Sequence, residues 1–240
     1  MRDIYVYGYI GDTLDETDKT AYQFARDLKE ANGEDVTIHI NSGGGDVFDA
    51  NTMAETLRAY PGRSTAAIEG LAASAASYFA LTADTVTMNK AALIMIHNPY
   101  TVAMGDADEM RRTADYLDKV RSTIISQYAD KTGKDSDEIA GMMDAETWFT
   151  AEEALEAGLV DELSALEPVA NRVDIDRTEN FKNAPAALDA LKERLAGNRA
   201  DTMQAVNDSD GKDTEPAGAA GEGAGAAHRT VCIDGRFLNY

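Results

Sequence analysis

What this 240-residue chain lacks narrows its chemistry first. It holds one cysteine, Cys232, so no intrachain disulfide can form, and Cys₂ or Cys₄ zinc sites are excluded. Three histidines, His39, His97 and His228, leave little for a histidine-rich metal site. Basic residues are scarce: 22 Lys and Arg stand against 43 Asp and Glu, a formal charge of −21. Such a polyanion repels phosphates and anionic lipid surfaces, so neither nucleic acid nor a membrane is expected as a partner. No run of about 18 apolar residues occurs, so no spanning helix is expected. The start, MRDIYVYGYIGD, lacks the apolar core and small-residue cleavage site of a secretory signal. The expectation is a soluble, cytoplasmic, acidic protein.

What is present reads as a globular α/β chain. Hydrophobic residues make up 44% and charged residues 27%, which excludes a mainly disordered chain or a fibre. Aromatic and β-branched residues over 4–10 predict a strand, and residues 36–40, 64–68, 84–88 and 92–96 predict four more. Between them, Ala21, Phe24, Ala25 and Leu28 follow helical spacing inside a helix expected over 15–32, and a second helix is expected over 47–60. Strand and helix alternate, which argues for a largely parallel sheet. A long helix is predicted over 107–130, with Met110, Ala114, Leu117, Val120, Ile124 and Tyr128 on one stripe. Short helices follow over 135–143 and up to Glu156. The chain divides into a domain over 1–166, a helical extension over 167–207 (a helix over 181–195), and a linker and tail over 208–240. The stretch SDGKDTEPAGAAGEGAGAA is rich in Gly, Ala and acid and predicts a flexible linker.

Three segments could carry chemistry. Asn41-Ser42-Gly43-Gly44-Gly45-Asp46 follows a strand, and its glycines free backbone N–H groups for an anion or oxyanion. It has neither the Lys-Ser/Thr of a phosphate loop nor full G-x-G-x-x-G spacing, and a plain tight turn would look the same. Gly70-Leu71-Ala72-Ala73-Ser74-Ala75-Ala76-Ser77 surrounds a serine with small residues, as a nucleophile on a sharp turn requires. A small-residue helix packed on a sheet would read alike, and periodicity does not separate Ser74 from Ser77. Met95-Ile96-His97-Asn98-Pro99 puts a histidine at a strand end, where it could deprotonate a serine. His39 lies within a strand pattern, and His228 falls in the linker.

The set INSGGG, GLAASAAS, MIHNP and TWFTAEEALEAGLVD, in that order, resembles the ClpP family of serine peptidases over roughly residues 4–163. It is most similar to the divergent phage head-maturation (prohead) subgroup. The resemblance implies a ClpP/crotonase-type β/β/α spiral whose long helix is the protruding handle that pairs stacked rings. It implies Ser74 as nucleophile, His97 as general base, and the N–H groups of Gly45 and Ala75 as oxyanion donors, with no cofactor or metal. Ser77 matches no catalytic position. Ungapped alignment back from Gly158-Leu159-Val160-Asp161 puts Glu146 at the family's aspartate, and Asp144 is the alternative third member. Gly43 replaces the family proline. The chain starts almost at its first strand, without the family's N-terminal pore segment, so an ATPase partner is not expected. The resemblance implies an ATP-independent endopeptidase acting on phage scaffold or capsid protein in the assembling prohead, its acidic C-terminal part self-cleaved or docked on scaffold. Other readings are a housekeeping ATPase-partnered ClpP subunit, a crotonase-type acyl-CoA enzyme working through carboxylates, and an inactive ring-forming relative.

Overall fold

Period-two burial marks the strands. In β1 (Arg2–Ile10), Ile4, Val6 and Ile10 are buried, while Asp3 and Tyr5 face outward. In β2 (Val36–Gly45), Val36, Ile38 and Ile40 do the same. The computed structural model describes residues 1–11, 17–164, 181–184, 230–233 and 236–239. The chain forms two units, Met1–Asp201 and Thr202–Tyr240. In the second, β8 (Thr230–Ile233) and β9 (Arg236–Asn239) pair antiparallel.

In the first unit β1 is followed by α1 (Ala21–Ala31), β2 by α2 (Val47–Arg58), and β3 (Ser64–Ala73) by α3 (Ala75–Ala80). Next come β4 (Thr85–Asn89), β5 (Leu93–Ile96), α4 (Ala107–Thr132), α5 (Ser136–Asp144), β6 (Thr147–Phe149), α6 (Ala151–Glu156) and β7 (Glu162–Ser164). Strands β1-β2-β3-β4-β7 run in that order, all parallel. This is the mixed α/β architecture expected from the alternation.

One departure from a simple sheet positions the site. The first half of β3 pairs with β4 (Thr65↔Thr85 to Ile68↔Met88), and its second half pairs with β5 (Leu71↔Leu93 to Ala73↔Met95). β1 and β2 shift register at the same level, after Tyr7 and Ile40. Ser42 Oγ donates to Gly8 O at 2.6 Å, and Asn41 Oδ1 accepts from Leu71 N–H at 3.0 Å, so buried polar side chains take up backbone groups where the ladder breaks. A Cβ at Gly70 would stand 2.8 Å from Asn41 Oδ1.

Helices cover the sheet through small and aromatic residues. Thr20 caps α1 in a reciprocal box with Gln23, which sets the helix start at Ala21 instead of residue 15. Phe24 of α1 meets Phe79 of α3 edge-on at 5.2 Å, both fully buried. The glycine run expected as a loop belongs to β2, because pairing with β1 outweighs glycine's weak strand preference. Likewise β3 runs on to Ala73. Residues 181–184 form a turn rather than the start of a helix. The rest of that expected helix, the linker over 208–227 and His228 lie outside the described residues. Among the described residues no helix is long and apolar enough to cross a membrane.

Candidate active site

Strand pairing brings three chain segments to one point. The parallel pair Ala73↔Met95 sets Ser74, the next residue, against the end of β5, and Ser74 N–H donates to Met95 O at 2.9 Å. β5 then runs into His97. The antiparallel pair Ile96↔Thr147 makes the following step His97 opposite Glu146. Nucleophile, base and acid candidates thus each stand one residue beyond a paired strand end.

Ser74 occupies φ 54°, ψ −125°, a conformation an L-residue adopts only when its surroundings hold it there. Ala72, Ala73, Ala75 and Ala76 are each 1% exposed or less, so no bulk relieves the turn. Gly44 presses on it from β2: a Cβ there would lie 2.8 Å from Ser74 Cβ and 2.9 Å from Ala75 N, and its φ is 95°. Gly45 is barred from a side chain by Ile10, whose carbonyl oxygen would be 2.0 Å away. Ala75 is the first residue of α3, so its N–H has no acceptor within the helix.

The Ser74 hydroxyl lies 2.7 Å from His97 Nε2, hydrogen-bond distance for handing over a proton. Burial holds the His97 pKa below its ordinary value; the Glu146 charge acts upward on it and the Lys182 charge downward. A lowered pKa favours the neutral imidazole, the form that can accept a proton.

Ser77, which spacing could not separate from Ser74, is fully buried and turned away. Its Oγ meets Ser74 O at 2.6 Å and Tyr128 Oη at 2.5 Å, tying α3 to α4.

The two candidate acids part company. Asp144 is exposed, ion-paired with Arg121 at 2.8 Å and accepting from Asn98 Nδ2 at 2.8 Å; the Asn98 bond and the Arg121 charge hold its pKa low. It braces the loop after His97 against α4. Glu146 is 7% exposed, at φ 48°. Its carboxylate accepts from Lys182 N–H at 2.9 Å, Asn183 N–H at 2.7 Å and Trp148 Nε1–H at 3.4 Å. Among the described residues no hydrogen bond joins Glu146 to His97; its influence is through space.

Beside Ser74 and His97 opens a cleft of ≈ 490 Å³, walled by Gly44, Phe48, Tyr100, Tyr116 and Phe181 among others. Phe181 was not foreseen as a site residue, and nothing in its local sequence signals one. Among the described residues no cluster of three or more His, Cys, Asp or Glu could hold a metal ion.

The family model described as Clp protease matches residues 2–166. The chain belongs to the Clp protease family. An ATP-dependent Clp protease proteolytic subunit of Bacteroides fragilis is 32% identical over 134 residues, 55% of this chain and 64% of the relative. Proteolytic subunit 3 of Streptomyces coelicolor is 34% identical over 145 residues, 58% of this chain and 66% of the relative. The match to these two spans just under two thirds of their own length. Within the matched region, the segment that ends in Gly158-Leu159-Val160-Asp161 has a structural task. Asp161 accepts from Val86 N–H at 2.7 Å and pairs with Lys131 at 2.9 Å, fastening β4 to α4. The segment over 181–184 lies beyond the family match.

Proposed function

We propose that this Clp-family protein is a serine endopeptidase. The observation that carries the reading is the 2.7 Å contact between Ser74 Oγ and His97 Nε2 at the wall of an open cleft. Ser74 Oγ attacks the scissile carbonyl as His97 Nε2 takes its proton. The oxyanion is held by the N–H groups of Gly45 and Ala75, and His97 returns the proton to the leaving amine. Water then repeats the cycle on the acyl-enzyme. Glu146 is assigned the third position, favouring imidazolium electrostatically as it forms. Family membership and the Ser74 backbone strain support these roles, as does the engagement of Asp144 elsewhere.

The finer reading is an ATP-independent enzyme of phage head maturation, acting on scaffold or capsid protein and assembled in stacked rings through α4. It rests on the motif resemblance. The relatives' names favour a second reading, a subunit that works with an ATPase. Purified protein should hydrolyse an unstructured fluorogenic peptide, with Ser74→Ala inert. Cleavage of a scaffold protein without ATP, by a species whose light-scattering mass is a ring multiple of 25.8 kDa, supports the phage reading. Degradation that requires an added unfolding ATPase supports the second.

A further inference from the structure

We propose that Phe181, Lys182 and Asn183, outside the family-matched segment, are positioning residues of the active site: they hold the Glu146 carboxylate opposite His97 and wall the cleft. The inference rests on the serine-peptidase reading above.

Glu146 is a buried carboxylate, and a buried charge is tolerable only when hydrogen-bonded. Among the described residues of the family-matched span 2–166, a single long bond reaches it, from Trp148 Nε1–H at 3.4 Å. The two short ones come from the main chain of the later segment, one to each oxygen: Lys182 N–H to Oε2 and Asn183 N–H to Oε1. Backbone donors fix a carboxylate without any side-chain freedom of their own. Asn183 Nδ2–H also donates to Ala145 O at 2.9 Å, pinning the segment beside the residue it serves. Phe181 meets His97 edge-on at 5.6 Å and 88°, and Trp148 at 5.5 Å and 72°, so the imidazole has an aromatic wall on the cleft side. Since no described residue hydrogen-bonds His97 Nδ1, the field of Glu146 depends on where these amides keep it.

The test uses the full-length chain, a fluorogenic peptide, and a fluorophosphonate to count reactive Ser74. Asn183→Pro deletes the N–H donor; Asn183→Ala keeps it. We expect Asn183→Pro to lower kcat roughly 10- to 100-fold, the size of effect a small misplacement has. The acid limb of its pH profile should move to lower pH as the upward influence on His97 weakens, whereas Asn183→Ala, which keeps the N–H and loses only the bond to Ala145, should lose clearly less turnover than Asn183→Pro and keep its acid limb in place. In a Glu146→Ala background the proline change should add less than about twofold. Phe181→Ala should raise KM several-fold, and Phe181→Tyr should restore it; this pair stands if the proline variant does not fold. Unchanged or faster turnover in both Asn183→Pro and Phe181→Ala overturns the inference, the faster result marking the segment as a brake. A proline effect that persists undiminished without Glu146 overturns it too. Wild type that takes no label at Ser74 sinks the peptidase reading first and the inference with it.

Discussion

His39 and His97 lie in one small fold, and their surroundings diverge. His39 lies on the outward face of β2. Its Nδ1 meets Glu69 at 2.7 Å, its Nε2 meets Asp3 at 3.2 Å, and Tyr5 stacks on it at 4.8 Å. The Glu69 hydrogen bond, joined by Asp3 and opposed by burial, raises its pKa. Tyr7 donates to the same Glu69, closing the cluster. Among the described residues no carboxylate hydrogen-bonds His97, and burial lowers its pKa. The difference teaches what a base needs. Direct hydrogen bonds to two carboxylates favour the cationic form of His39, in which both ring nitrogens donate. An imidazole in a dry site, with one ring nitrogen on a hydroxyl and a carboxylate at a distance, has its pKa lowered, which favours the neutral form that can accept a proton.

Removing each histidine in turn separates the two most forcefully. His97→Ala or Ser74→Ala should cut kcat/KM by about 10⁴-fold or more, whereas His39→Ala should leave it within about threefold. Next in size, Glu146→Gln should cost roughly 10²- to 10⁴-fold in kcat and move the acid limb to lower pH, while Asp144→Asn changes turnover little. Equal losses in both would return Asp144 to the site. A stability readout sharpens the other half. Because the His39 pKa is raised on folding, its contribution is fully present below its unfolded value and disappears as pH rises through the folded value. The melting-temperature deficit of His39→Gln should therefore be larger at about pH 5 than at about pH 8. Smallest of all, Lys182→Met removes a charge acting downward on His97, so the acid limb of kcat/KM should move up by less than about one pH unit.

Much of this was legible in the chain itself. Alternation of strand and helix gave the α/β class; the small residues about Ser74 fitted a sharp turn or a packed helix alike, and the family resemblance singled out Ser74. His97 stood out by its place at a strand end. What the sequence withheld was register. Nothing in LIMI or TWF tells that Ile96 pairs with Thr147, yet that pairing sets Glu146 opposite His97 and leaves Asp144 to Arg121. The glycines after Ile40 read as a loop because their strand identity comes from β1 alongside, a long-range contact. Phe181 to Asn183 were hidden for the same reason: their role lies in contacts made some 36 residues back along the chain, and their own pattern suggested a helix.

The proposed peptidase function stands on Ser74 acting as a nucleophile activated by His97. Treating the purified protein with a fluorophosphonate and mapping the adduct by peptide mass spectrometry tests it most directly. One stoichiometric adduct on the Ser74 peptide is expected, absent in Ser74→Ala and strongly slowed in His97→Ala. An unlabelled wild type, or labelling that proceeds at the same rate without His97, would contradict it.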